Sequence, residues 1–203
     1  MDLVCGRPQD AIEGIKNMLN PRRVLNQSDS ILIQAYLANG EPQEADNFAQ
    51  ASIYLHLLMM VADSCSFFDI HIGENDICDK TISRLDAVID AYHLEELNLN
   101  VVAGYQYRVA AYNSLNENNE QALMRLEKYA KIVCDMMDKG MLHGDSYFSK
   151  LDKWFEKLDL GTQMPRSKKL VMKSARENLN NPLFDKIRDR KEFKRIEKML
   201  DEQ

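Results

Sequence analysis

The chain has 203 residues, of which 45% are apolar and 29% are charged, and its formal net charge is −6. This length and this balance are typical of a globular chain with a sizeable core, and they exclude a disordered or fibrous protein. Because the acidic charge repels phosphate backbones, we do not expect the main surface to bind nucleic acid.

The cysteines and the apolar runs predict a cytoplasmic protein without a membrane span. None of the four cysteines belongs to a C-x-x-C pair, so neither a zinc site nor a disulfide framework is predicted, and we expect reduced thiols. The first residues lack the basic start of a signal peptide. The best apolar run, residues 53–62, contains His56 and is too short to cross a membrane.

A six-residue phrase occurs twice in the first quarter of the chain, 34 residues apart. Residues 6–11 read GRPQDA and residues 40–45 read GEPQEA. Tetratricopeptide hairpins repeat with a period of about 34 residues. In such a phrase the glycine ends one helix, the proline begins the next and the alanine packs against the partner helix. Gly73 follows Gly40 by 33 residues and marks a degraded third copy.

The spacing of apolar residues places helices between these turn signals. The first predicted helix ends at Asn20-Pro21, the second ends at Gly40, and a long third helix begins near Pro42. We therefore predict an all-α, tetratricopeptide-like array of antiparallel helical hairpins that forms one domain, 1–203. The hairpins are regular over residues 1–140, and residues 141–203 form shorter, more basic helices. The second predicted helix is capped by Ser28 or Ser30 and runs to residue 39, and the fourth is opened by Asn75 or Asp76 and runs to residue 92. The other predicted helices are 8–19, 42–67, 97–115, 119–139, 147–158, 166–179 and 191–200.

The charge is distributed unevenly along the chain. Residues 1–144 have a balance of −10, whereas residues 145–203 have a balance of +4. A charge run of this size usually forms a solvated helical face, and nucleic-acid contact is the alternative. We expect the solvated face.

The 34-residue period, with each six-residue phrase taken as the turn of a hairpin, defines a repeat frame for the chain. This frame places Gly6 in the middle of a hairpin. About a dozen residues of an opening helix should precede it, because a hairpin cannot bury its apolar face alone. We expect these residues to lie upstream of Met1. The alternatives are that another subunit or a later segment covers the first helix.

Three later segments of the sequence follow the two copies of the phrase and add to the pattern. Residues 110–115 read AAYNSL, residues 120–130 read EQALMRLEKYA, and residues 181–194 read NPLFDKIRDRKEFK. Together with the two hairpins, this order resembles the tetratricopeptide-like C-terminal region of bacterial helix-turn-helix transcriptional regulators of the xenobiotic-response-element (Cro/CI-like) family.

The resemblance implies a ligand-sensing or dimerisation region rather than an enzyme. Its partner would be a protein or peptide, or a small ligand, and it would form a homodimer. DNA would be bound only through an N-terminal domain that these residues do not contain. The alternative is a free-standing tetratricopeptide-like adaptor that scaffolds protein complexes.

The candidate partner-binding residues are Tyr105, Tyr107 and Arg108, which share one predicted helix, and Ser30 and Gln34 on the second helix. The first helix of each hairpin lines the concave face of such an array, so the frame predicts that Tyr107 faces this groove with Ser30 and Gln34. Tyrosine and arginine are frequent anchors for partners. The alternative is that the tyrosine rings pack between helices.

No motif in the sequence indicates catalysis. The sequence lacks the two common nucleotide-binding loops and the nucleophile elbow of hydrolases. Its four histidines are scattered without metal-ligand spacing. Acid pairs such as Glu95 and Glu96 lie on predicted surface turns, so they favour solvated charge over acid–base chemistry. We therefore expect no catalytic residue, no metal site and no cofactor.

Overall fold

A computed structural model describes residues 28–139, 142–158 and 166–201. The regular structure of these residues is helical, apart from an isolated antiparallel bridge between Asn98 and Leu142. The chain is therefore all-α, as its sequence predicts. Its contacts divide it into two compact units, 1–52 and 53–203, and each is described by itself. The prediction of one domain, 1–203, stays a prediction. Gly6 and the predicted helix 8–19 lie outside the described residues.

The first six helices follow one another through connections of four residues or fewer. In chain order they are α1 (Ser28–Ala38), α2 (Pro42–Ile70), α3 (Asn75–Ala91), α4 (Leu94–Leu97), α5 (Leu99–Leu115), α6 (Asn119–Lys139), α7 (Leu151–Phe155), α8 (Lys168–Leu179), a 3₁₀ helix (Pro182–Ile187) and α9 (Lys191–Asp201).

In the first unit, the second copy of the repeated phrase is a helix–helix turn. Gly40 has φ +75°, in the left-handed region. Its N–H donates to the Leu37 carbonyl at 3.1 Å, and the Glu41 N–H donates to the Tyr36 carbonyl at 2.9 Å. These two bonds form a Schellman motif, which satisfies the free carbonyls at the end of α1. Pro42 then begins α2, as the phrase predicts.

The second unit contains the same turn without the glycine or the proline. Glu117 occupies the left-handed position with φ +62°, and its N–H donates to the Ser114 carbonyl at 3.1 Å. The Asn118 N–H donates to the Asn113 carbonyl at 2.8 Å, which completes the Schellman motif. Ala122 then takes the buried place that Ala45 takes after Gly40. The predicted hairpin of residues 97–115 and 119–139 is therefore confirmed.

The third copy of the phrase differs from the other two. Asn75 begins α3 and Cys78 is fully buried, as the frame predicts. Gly73, however, does not have a positive φ. One helix, α2, fills the chain between Gly40 and Gly73 where a tetratricopeptide period would hold two. The all-α class is established, and the tetratricopeptide-like arrangement stays a prediction.

Helix α5 is the central helix of the second unit. Ten of its residues are buried, and they cover slightly more than half of the helix circumference. The opposite side, which includes Gly104 and Arg108, is only partly buried. At its start, the Asn98 side chain accepts a bond from the Val101 N–H at 3.2 Å and donates to the Tyr54 hydroxyl at 2.9 Å. This cap separates α4 from α5, so the observed helix begins at Leu99 rather than at residue 97.

The basic C-terminal segment, residues 166–201, which we call the tail, forms ion pairs with acidic side chains of α6 and of the turn before it. The pairs join Lys186 to Glu117, Arg190 to Glu120, and Arg195 to Glu127. All three lie at the surface, so they place the tail rather than stabilise it strongly. The basic helices, which the sequence predicts to present a solvated face, therefore pair in part with acidic side chains of residues 117–127.

One helix among the described residues, α2, meets the length and composition of a membrane span. A single helix of this kind does not identify a membrane protein, because core helices of globular proteins share these properties.

Candidate ligand-binding groove

A groove of about 650 Å³ lies in the second unit, among α2, α5, α6 and the segment that contains α8. We call it the α5 groove. Its volume is within the range of pockets that hold small molecules, about 300–1,000 Å³. Its polar lining includes Ser66, Asn100, Arg108, Arg166, Ser174 and Asn178.

Helix α5 presents one face to this groove. Asn100, Gly104 and Arg108 are four residues apart, so they lie above one another on the same side of the helix. At a rise of about 1.5 Å per residue, this face extends for about 12 Å.

Gly104 keeps the floor of the groove open. A glycine inside a helix costs about 0.5–1 kcal/mol relative to alanine. A Cβ added at Gly104 would meet only the Arg108 guanidinium, at 3.5 Å from Nη1. A small side chain would therefore fit at this position, and the glycine leaves that space open to the groove.

Arg108 is held at the edge of the groove by two contacts. Its Nε donates to Asp69 Oδ2 at 3.0 Å, and its Nη1 donates to the Gly104 carbonyl at 3.2 Å. Neither contact uses Nη2, and in the part of the chain that the structure describes no other contact does. Its two N–H groups can therefore donate to a ligand, since a guanidinium carries five donors.

The groove is positively charged. Arg108 and Arg166 are the charged residues among its described lining, and no carboxylate belongs to that lining. Asp69 offsets the charge of Arg108, so the positive charge of Arg166 remains. Cys65 also lines the groove, and burial raises the pKa of its thiol. The thiol is thus neutral rather than a nucleophilic thiolate near pH 7.

On the α3–α6 side of the central helix, three side chains form a hydrogen-bond network around the Asp86 carboxylate. The Tyr105 hydroxyl donates to Asp86 Oδ1 at 2.9 Å, and Arg125 donates to both oxygens of the same carboxylate. Arg125 also donates to Gln106 Oε1 at 3.0 Å. In this network the side chains of Asp86, Tyr105, Gln106 and Arg125 all have hydrogen-bond partners within the chain.

The predicted partner-binding residues have different local surroundings in the structure. Tyr105 is buried in the Asp86 network, and Gln34 is exposed on α1, in the first unit. Ser30 also lies on α1. Arg108 lines the α5 groove. A contribution of these residues to partner binding stays a prediction.

Tyr107 does not have the predicted orientation toward a groove. Its ring packs against Tyr129 at 5.5 Å and Phe184 at 5.9 Å between ring centroids. Its hydroxyl accepts a bond from Asn181 Nδ2 at 3.0 Å and donates to the Asn178 carbonyl at 3.3 Å. The reason is that the tail helices cover this side of α5, and the repeat frame did not include them.

Sequence reasoning missed Asn100, Gly104 and Arg166. Gly104 carried a usable signal, because an isolated glycine inside a helical pattern often marks a close approach or a site. Arg166 carried none, since it joins the groove only through the packing of α8.

The comparisons with known proteins do not assign the chain to a family. The chain matches no family model, no curated protein and no solved structure. Among the described residues, no group of three His, Cys, Asp or Glu side chains could hold a metal ion.

Proposed function

We propose that this chain is a non-enzymatic binding module that acts as the ligand-sensing or dimerisation region of a bacterial helix-turn-helix transcriptional regulator. The observation that carries the binding function is the α5 groove, where helices from three parts of the chain supply hydrogen-bonding walls around an open floor at Gly104. The regulator assignment rests on the resemblance of the turn phrases, residues 110–130 and the closing stretch.

The central helix provides a route by which an occupied groove can act on the rest of the unit. Arg108 lies on the face of α5 that lines the groove. Tyr105 and Gln106, within one turn before it, belong to the hydrogen-bond network around Asp86. A ligand that binds better to one position of α5 shifts the unit toward that position. The proposed response is such a population shift.

Exposed apolar side chains on α2 support the dimerisation part of the proposal. Met59 is 59% exposed and Ile70 is 76% exposed, and Phe67 is also exposed. A second copy of the chain could cover this surface, as the resemblance implies. We expect sedimentation to give the mass of two chains, and Ile70→Asp to shift it toward one. A monomer at all concentrations would contradict dimerisation.

The coding sequence upstream of Met1 tests the regulator assignment directly. An in-frame helix-turn-helix motif is the expected result. An in-frame stop codon would contradict the assignment and favour the free-standing adaptor.

A further inference from the structure

We infer that the α5 groove binds a small organic acid, a molecule with one carboxylate and an apolar body. This inference rests on the proposed binding function and names its ligand class. Three properties of the groove carry it: the sign of its charge, the chemistry of its walls and the extent of its α5 face.

The charge of the groove matches one carboxylate. Arg108 and Arg166 are its two lining cations, and Asp69 already pairs with Arg108 at 3.0 Å. A ligand with one negative charge therefore balances the site, whereas a phosphate dianion would exceed it. The two N–H groups on Nη2 of Arg108 and the guanidinium of Arg166 are suited to carboxylate oxygens, since arginine binds planar anions through paired donors.

The remaining walls of the groove favour an apolar body on the ligand. Aliphatic and thioether side chains supply much of the lining, and an apolar chain gains by leaving water against them. Neutral polar groups, such as Asn100 and Ser174, add no charge that would oppose the acid. The apolar lining includes Ala62, Val101, Ala103, Val133, Met136 and Val171.

The extent of the α5 face of the groove favours a small molecule over a long peptide. The face of α5 from Asn100 to Arg108 extends for about 12 Å. An extended peptide advances about 3.3 Å per residue, so only three or four of its residues would fit. A medium-chain fatty acid fits along the same distance in full.

Isothermal titration of the purified chain with octanoate tests the inference, with octanamide as the neutral ligand of the same shape. We expect octanoate to bind at least ten times more tightly than octanamide and to raise the melting temperature. The affinity should fall as salt rises, because ions screen exposed charges.

Matched variants assign the binding to the groove. Arg166→Gln and Arg108→Gln should each weaken octanoate binding by about tenfold, the equivalent of one lost charge-assisted hydrogen bond of about 1.4 kcal/mol. Arg84→Gln removes an exposed arginine of α3 that does not line the α5 groove, and it should bind octanoate like the unmodified chain. Since Arg166 is exposed, its variant should fold normally, and circular dichroism verifies this.

The outcomes separate this inference from the proposed function. Equal affinity for octanoate and octanamide would overturn the acid while keeping a ligand-binding groove. Tighter binding of an acetylated tripeptide acid than of octanoate would assign the groove to peptide ends and overturn the small-acid inference. Binding of neither ligand class would also overturn it, whereas the upstream coding sequence decides the regulator assignment independently.

Discussion

Arg125 forms a two-pronged ion pair with Asp86 and thereby joins α6 to α3 across the central helix. Its Nη1 lies 2.8 Å from Asp86 Oδ1, and its Nη2 lies 2.6 Å from Oδ2. The two residues are 39 positions apart in the chain, and the Arg125 side chain is nearly buried. The pair therefore contributes to tertiary packing rather than to a single helix.

The first prediction concerns this ion pair. Arg125→Met removes the guanidinium, so Asp86 keeps only the bond from the Tyr105 hydroxyl and Gln106 Oε1 loses the Arg125 donor. Because Asp86 is partly exposed to water, we expect a loss of about 1–2 kcal/mol in the free energy of unfolding, less than for a fully buried pair. Urea titration measures it. Arg84→Met is the matched control at an exposed arginine, and an equal loss in both variants would contradict the role of the pair.

The second prediction concerns the pH dependence of stability. Burial raises the pKa of Asp86, but hydrogen bonds from Arg125 and Tyr105 outweigh this effect, so the pKa lies below its usual value. The unfolded chain then binds the proton more readily than the folded chain. The stabilisation by Asp86 is therefore complete above the ordinary carboxyl pKa of about 4 and is lost as the pH falls through the lower folded value.

An Asp86→Asn variant isolates this contribution. We expect its free energy of unfolding to fall less steeply below pH 4 than that of the unmodified chain. Urea titrations at several pH values between the ordinary pKa and acid provide the measurement. Identical slopes for the two proteins would show that Asp86 does not titrate in the predicted way.

The third prediction concerns the turn at Gly40. Gly40→Ala forces a Cβ into the left-handed region, where it costs about 1–2 kcal/mol per residue. Gly73→Ala is an informative control, because neither glycine has a neighbour within 4 Å of an added Cβ and Gly73 lacks a positive φ. We expect thermal melts to show a loss for Gly40→Ala alone. Equal effects would mean that backbone conformation is not the cause.

The fourth prediction separates stability from binding at Gly104. Gly104→Ala should raise the free energy of unfolding by about 0.5–1 kcal/mol, because alanine favours the helix and its Cβ meets Arg108 at an ordinary contact distance. Gly104→Leu should block the floor of the α5 groove and abolish octanoate binding. Titration calorimetry and urea unfolding measure the two effects. Unchanged octanoate affinity in the leucine variant would place the ligand elsewhere.

The fifth prediction concerns the inward orientation of Tyr107. Tyr107→Phe removes a hydroxyl that is bonded to Asn178 and Asn181, so we expect a loss of about 1 kcal/mol in the free energy of unfolding. Octanoate affinity should not change, because Tyr107 does not line the α5 groove. Tyr147→Phe is the control at an exposed ring. A weaker octanoate affinity without a loss of stability would restore the orientation expected from the repeat frame.

The sequence was most informative where the structure is local. The turn at Gly40 and the start of α2 at Pro42 could be predicted, since both depend on backbone preferences of a few neighbouring residues. The turn at Glu117 could be placed by its spacing before Ala122, although its left-handed residue is not a glycine. Even Gly73 marked a true helix boundary, with a different turn.

The candidate site was less predictable, because it depends on which helices cover which faces. Arg108 was chosen for its residue type and does line the groove, whereas Tyr107 was chosen in the same way and packs under the tail. Both lie on α5 in consecutive positions. Both also lie on the partly buried side of α5, so helical periodicity alone does not decide which of them the tail covers.

By itself, the sequence determined the all-α class, most helix boundaries and the helix-ending turns at Gly40 and Glu117. Each of these features is specified by residues within about one helical turn. Only the tertiary structure decided that Asp86 pairs with Arg125, that Arg166 joins Arg108 around an open floor, and that the basic tail covers Tyr107. These contacts join residues far apart in the chain. They arise from how whole helices pack, which no local pattern encodes.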